Sequence, residues 1–154
     1  MIQKYWLDPL NSVELLASVL MELAAPSVRV AVEGDRHLLD LVHVPGAVIG
    51  PLDPFKVNGR NMIVVPLKTQ EDVHFLTQRL TTGHRLSPEL DAVQIERNGH
   101  VEFMAADGFH RECISVGPSL PDSFWESLVR KGTIRGFYSP GEAADHFGLP
   151  RRDA

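Results

Sequence analysis

The chain has 154 residues and a mass of 17.1 kDa, the size of one domain able to bury roughly 68–70% of its unfolded surface. Its 44% hydrophobic and 23% charged residues lie near the globular average and exclude a disordered, collagenous or rod-like chain. A net charge of −5 argues against nucleic acid as a partner, and a single cysteine excludes an intrachain disulfide and a Cys-rich zinc site.

Residues 1–10 read as a lead segment with Tyr5, Trp6 and Leu7. Exposed, these aromatics would anchor an interface; folded back, they would plug the core; paired in trans as a strand, they would make a homo-oligomer. Asn11 stands three residues before Glu14, the spacing of a helix cap, and predicts a helix to about Ala25. Val13, Leu16, Leu20 and Leu23 form its stripe, Leu15 and Val19 widen it, and Glu14, Ser18 and Glu22 make the wet edge. Val13–Ala25 could pass for the apolar part of a signal peptide. Its two glutamates and the lone Lys4 before it favour a buried helix. No apolar run reaches the ~18 residues of a membrane span, and a cytoplasmic location is expected.

Residues 28–43 predict a hairpin turning at Gly34-Asp35. That register sets Glu33 against Arg36 and Arg29 against Asp40 on one face, with Val30–Leu39 and Val28–Leu41 on the other. Residues 45–61 are rich in Pro and Gly and read as loop, ending in a small hairpin with Asn58-Gly59 as turn and Asn61–Val65 as strand. Thr69 and Asp72 repeat the cap spacing for a helix to about Thr82, with Val73, Leu76 and Leu80 facing inward.

Asn98-Gly99 marks a further hairpin. A two-residue loop would set Ile95 against Glu102, so a three-residue loop, Asn98-Gly99-His100, is expected instead. It places Val93, Ile95, Val101, Phe103 and Ala105 on one face and Gln94, Glu96, Glu102 and Met104 on the other. Arg111–Val116 reads as the next strand. Ser119 and Asp122, with Pro121 between, open a helix that Gly132 ends, Thr133–Tyr138 is a last strand, Pro140–Phe147 a short helix, and 148–154 a frayed tail. Strands clustered in hairpins predict a single α+β domain over 1–154, with a mainly antiparallel twisted sheet and about three covering helices.

The common phosphate-loop, dinucleotide, nucleophile-elbow and zinc-protease motifs are absent. Cys113 and His110, three apart on a strand, point to opposite faces, so the thiol reads as a small core hydrophobe. His37 and His43 at the two ends of a strand would be about 20 Å apart, too far to share an ion. No cofactor or metal is expected. His74 reads as solvated, and His84 and His146 as helix-end residues.

One cluster draws attention. Glu96 and Glu102 share the polar hairpin face with His100 at the turn, and His110 and Glu112 alternate together on the next strand. From Glu89 to Glu112 six carboxylates stand against Arg97 and Arg111, leaving −4 in that segment. A concentrated negative face speeds encounter with a basic partner. The leading expectation is therefore a non-catalytic protein-binding module. By size and charge alone it is comparable to small immunity-type inhibitors, and it would dock a basic protein through Glu96, His100, Glu102, His110 and Glu112. The alternative is a small enzyme or ligand-binding protein, using Glu102, His100 or His110 as acid and base in a pocket beside the Pro/Gly-rich loop.

Overall fold

The computed structural model describes residues 3–56 and 61–148, and at 36–39 the backbone alone. The order is β1 (Tyr5–Pro9), α1 (Ser12–Leu23), β2 (Arg29–Gly34), a 3-10 helix (Arg36–His43), β3 (Val48–Ile49), β4 (Met62–Pro66), α2 (Gln70–Leu80), β5 (Thr81–Thr82), β6 (Arg85–Leu86), β7 (Leu90–Arg97), β8 (His100–Ala105), β9 (Ile114–Val116), α3 (Asp122–Arg130), β10 (Ile134–Tyr138) and α4 (Pro140–Phe147). Eight strands form one sheet in the order β10-β1-β9-β8-β7-β2-β4-β3, with every pairing antiparallel; β5 and β6 make a small separate ribbon. The α+β class with a largely antiparallel sheet is thus observed.

Local signals account for the helices. Asn11 accepts a hydrogen bond from the Glu14 N–H, and Thr69 and Asp72 exchange both bonds of a capping box. Leu15, Leu16, Val19, Leu20 and Leu23 of α1 and Val73, Leu76 and Leu80 of α2 bury against one sheet face. Trp125 and Leu128 of α3 join them over Leu7, Val30, Val32, Val93, Ile95, Phe103 and Ile134. Helix α4 packs at the β1–β10 end on the other face, where Asp8, the strand neighbour of inward-facing Leu7, meets His146.

The expected hairpin over 28–43 does not form. Strand β2 is central: β4 takes one edge, with Val30 opposite Val65, and β7 the other, with Val30 opposite Ile95. Both ladders are full, so residues 36–43 have no edge to join and coil as the 3-10 helix. Leu38, Leu39, Leu41 and Val42 recur at helical spacing, a period that opposite charges at Arg29 and Asp40 masked. Asp40 lies instead 3.4 Å from Arg79.

Residues 5–9, expected as a lead, are a strand between β9 and β10 of their own chain, with Leu7 fully buried. Lys4 and the Tyr5 hydroxyl both reach Asp122 Oδ1 at 2.9 Å and fasten this end to α3. Strand β4 pairs with β3; the proposed Asn58-Gly59 turn and most of the tail lie outside the described residues.

The hairpin of β7 and β8 also differs. Arg97 faces His100 across a two-residue loop, and both Asn98 (φ 53°) and Gly99 (φ 82°) are left-handed, as in a type I′ turn. The mismatch is absorbed lower down. Ile95 faces Phe103 but Glu96 faces Val101, so Glu102 is the extra residue of a β-bulge. Phe103 stays in the main core as expected, while Val101 turns to the opposite face, against Ala31, Phe55, Met62 and Val64.

That opposite face is also roofed. The segment around Leu52–Lys56 crosses it, Phe55 fills the space over Ala31 and Met62, and Gln94 fixes the crossing. The Gln94 amide accepts from the Lys56 N–H at 3.1 Å and donates to the Lys56 carbonyl at 2.7 Å, imitating a strand partner. Gln94→Ala leaves both backbone groups unpaired beneath the strap. It should cost about 1–3 kcal/mol, read as a lower urea midpoint, with new protease cleavage within residues 51–56.

Candidate functional site

The polar side chains of the second sheet face are satisfied within the protein. Glu96 is 5% exposed and pairs with the Arg29 guanidinium, its Oε2 accepting from Nε at 2.6 Å. Arg29 also donates to the Asp53 carbonyl at 3.3 Å and lies 5.5 Å from the Phe55 ring centre. A carboxylate buried this deeply needs a paired charge. Arg29 and Glu96 stand directly opposite in the β2–β7 ladder, so the sheet register supplies it.

The five candidate residues fall into two groups. Glu96, His100 and Glu102 lie at the apex end of the β7–β8 hairpin. Glu102 is half-buried, and its Oε2 accepts from the Ser119 N–H at 3.0 Å; His100 is exposed. His110 and Glu112 do not alternate on a strand, because β9 begins only at Ile114. They belong to the turn after β8, where His110 Nδ1 accepts from the Glu112 N–H at 3.4 Å. Five residue steps along β8 lead from His100 to Ala105, about 17 Å of rise, so the two groups sit at opposite ends of the hairpin.

The far end holds a recess of about 570 Å³ that no local sequence pattern marks. Glu33, Asp91 and Asp107 line it with Leu90, Ala106 and Cys113. Glu33 ends β2, Asp91 starts β7, and Asp107 and Cys113 bracket the turn after β8, so antiparallel order gathers residues remote in sequence. Three successive left-handed residues shape its edge: Asp107 (φ 54°), Gly108 (φ 63°) and Phe109 (φ 64°). The Ala106 N–H donates to the Cys113 carbonyl at 3.0 Å, and the Cys113 N–H to the His110 carbonyl at 2.8 Å, closing the turn.

Burial pushes the Cys113 thiol above its ordinary range, and the charges of Asp107 and Glu112 push it the same way. A protonated thiol is a weak nucleophile. Among the described residues, no group of three or more His, Cys, Asp or Glu side chains is disposed to hold a metal ion. No helix among them is long and apolar enough to cross a membrane.

His146 has a role beyond its helix end. Its Nε2 is 2.9 Å from Asp8 Oδ2, its ring stacks on Tyr138 at 4.0 Å, and Arg135 Nε lies 3.6 Å from the same carboxylate oxygen. Burial, and next the Asp8 charge, raise the Tyr138 hydroxyl above its ordinary range. No sequence signal links residues 138 apart. Compared with family models, curated proteins and solved structures, the chain matches none of them.

Two outcomes follow from these contacts. Arg29→Met strands the Glu96 carboxylate and should cost about 3 kcal/mol, the low end for a buried pair because Arg29 is 36% exposed. Adding Glu96→Leu should recover most of that in a double-mutant cycle by urea unfolding. At Cys113, iodoacetamide should react more slowly with the folded chain than with the unfolded one. Asp107→Asn lowers the thiol pKa towards its ordinary value, so the folded chain should then react faster at neutral pH.

Proposed function

We propose that this protein is a non-catalytic module that binds a basic protein partner, with the contact centred on the carboxylate-lined recess rather than on the hairpin apex. The observation that carries the proposal is the recess itself: an open depression of about 570 Å³ that has the exposed Asp107 in its lining, beside the half-buried Asp91 and the buried Glu33. Such a surface suits an ammonium or guanidinium group presented by another chain. The segment Glu89–Glu112, which holds −4 of the −5 net charge, supplies Asp91, Asp107 and the flanking Glu112.

The apex fits this role less well. Glu96 is 5% exposed and Glu102 half-buried, whereas Asp107 at the recess is exposed. Of the apex group, His100 remains the exposed member. Acid–base chemistry between His100 and His110 is disfavoured by their separation along β8.

The test uses a lysine-rich peptide and its fully acetylated counterpart, with amide shifts followed by NMR. The lysine peptide should move the signals of Asp91, Ala106, Gly108 and Cys113, and the acetylated peptide should not. Asp107→Asn, which tolerates the left-handed backbone, together with Glu112→Gln should slow association roughly tenfold at low salt. Shifts spread evenly over the surface, or centred on His100, would overturn the proposal.

A further inference from the structure

We propose that Asn98-Gly99 is a site of spontaneous backbone modification, in which the side-chain amide is lost through a cyclic imide with help from the Ser27 hydroxyl. In this step the Gly99 backbone nitrogen gives up its proton to solvent and bonds to Asn98 Cγ. The Cγ–Nδ2 bond breaks, and the side-chain nitrogen leaves as ammonia after taking a proton. Water then opens the five-membered imide at one of its two carbonyls. The products are an aspartate or a β-linked isoaspartate at this position, and no oxidant or reductant is needed.

Several features converge on this dipeptide. Asn98, Gly99 and His100 are all exposed at the apex of the β7–β8 hairpin. Gly99 carries no side chain, and a Cβ built on it would meet nothing within 4 Å, so its nitrogen is open to attack geometry. Ser27 Oγ donates to Asn98 Oδ1 at 3.3 Å. Negative charge gathers on that oxygen as the nitrogen adds to Cγ, and a donor already in place stabilises it.

The turn type supplies the motion. In the observed I′ turn the peptide plane after Asn98 holds the Gly99 nitrogen away from the side chain. Flipping that plane converts I′ into II′, the other two-residue hairpin turn; because II′ favours glycine where Asn98 stands, this is a strained state visited in passing from the resting I′ turn. The flip takes ψ of Asn98 from about +30° to about −120°, and φ of Gly99 from about +90° to about −80°, while φ of Asn98 stays left-handed. At the new ψ the Gly99 nitrogen eclipses the Asn98 Cβ, the arrangement the five-membered ring requires. Glycine permits the change of φ, and the Ser27 contact is to the side chain, which the flip leaves in place. The β-linked product lengthens the main chain of a two-residue loop by one atom, which the Arg97–His100 pairing cannot absorb without opening.

The experiment incubates the folded full chain at neutral and mildly alkaline pH and maps tryptic fragments by mass. Cleavage after Arg97 isolates residues 98–111 from the second Asn-Gly pair at 58–59. The fragment should gain the mass of an NH2-to-OH exchange, release ammonia in equal amount and react faster at the higher pH. Ser27→Ala should slow conversion while Arg97 and His100 keep their amide-exchange protection. A fragment that stays intact while the denatured chain converts would overturn the site. A Ser27→Ala chain that converts at the parent rate would overturn the role of the hydroxyl.

Discussion

Covering the second face of the sheet obliges each polar side chain on it to find a partner inside the protein. Arg29, Gln94 and Glu96 lie on neighbouring strands with their side chains on that face. A solvated face would leave them to water; the strap from Leu52 to Lys56 removes the water and answers with its own groups. The Asp53 carbonyl takes Arg29, the Lys56 backbone takes both ends of the Gln94 amide, and Phe55 lies under the guanidinium. An unmade bond here costs more than a made one contributes, so these contacts fix where the strap crosses. The same arrangement withdraws Glu96 from solvent.

Much of the fold is legible wherever the signal is local. Asn11 with Glu14, and Thr69 with Asp72, announce their helices within three residues. Pro140–Phe147 also stands as expected, with Ser139 and Glu142 adding a capping box. The failures share a cause. For residues 28–43, turn chemistry, charge and alternation agree on a hairpin, yet each is satisfied as well by strands distant in sequence. Arg29 does face a carboxylate across a ladder; it is Glu96 rather than Asp40. A strand that is to be central advertises the same alternation as one that is to be an edge, so the choice between partners is made by the whole sheet.

The candidate site was legible in composition but not in position. The acidic segment is plain from the residues, whereas its division between two ends of one hairpin depends on where β8 stops and how the chain turns back. With the extra residue at Glu102 rather than in the loop, Val101 faces the second side of the sheet while Phe103 stays in the main core. A single inserted residue can sit at several places in a hairpin and still keep the large apolar groups inward.

The turn after β8 shows how the core and the recess depend on each other. Left-handed backbone costs an ordinary L residue roughly 1–2 kcal/mol, and Phe109 adopts it between Gly108 and the run to Cys113. Its ring is 3% exposed and lies 6.1 Å from Phe103, a burial worth about 1.5–3 kcal/mol. Core packing therefore offsets the strained conformation, and the Phe109 N–H bond to the Ala106 carbonyl at 3.0 Å holds it. Once the phenylalanine is drawn inward, Asp107 and Gly108 are pushed to the rim, and the Gly108 N–H reaches the Asp91 carbonyl at 3.3 Å. The Asp107 carboxylate of the recess is thus set by a hydrophobic anchor two residues away. Polar substitutions at the rim can alter the charge of the recess while the anchor keeps its shape.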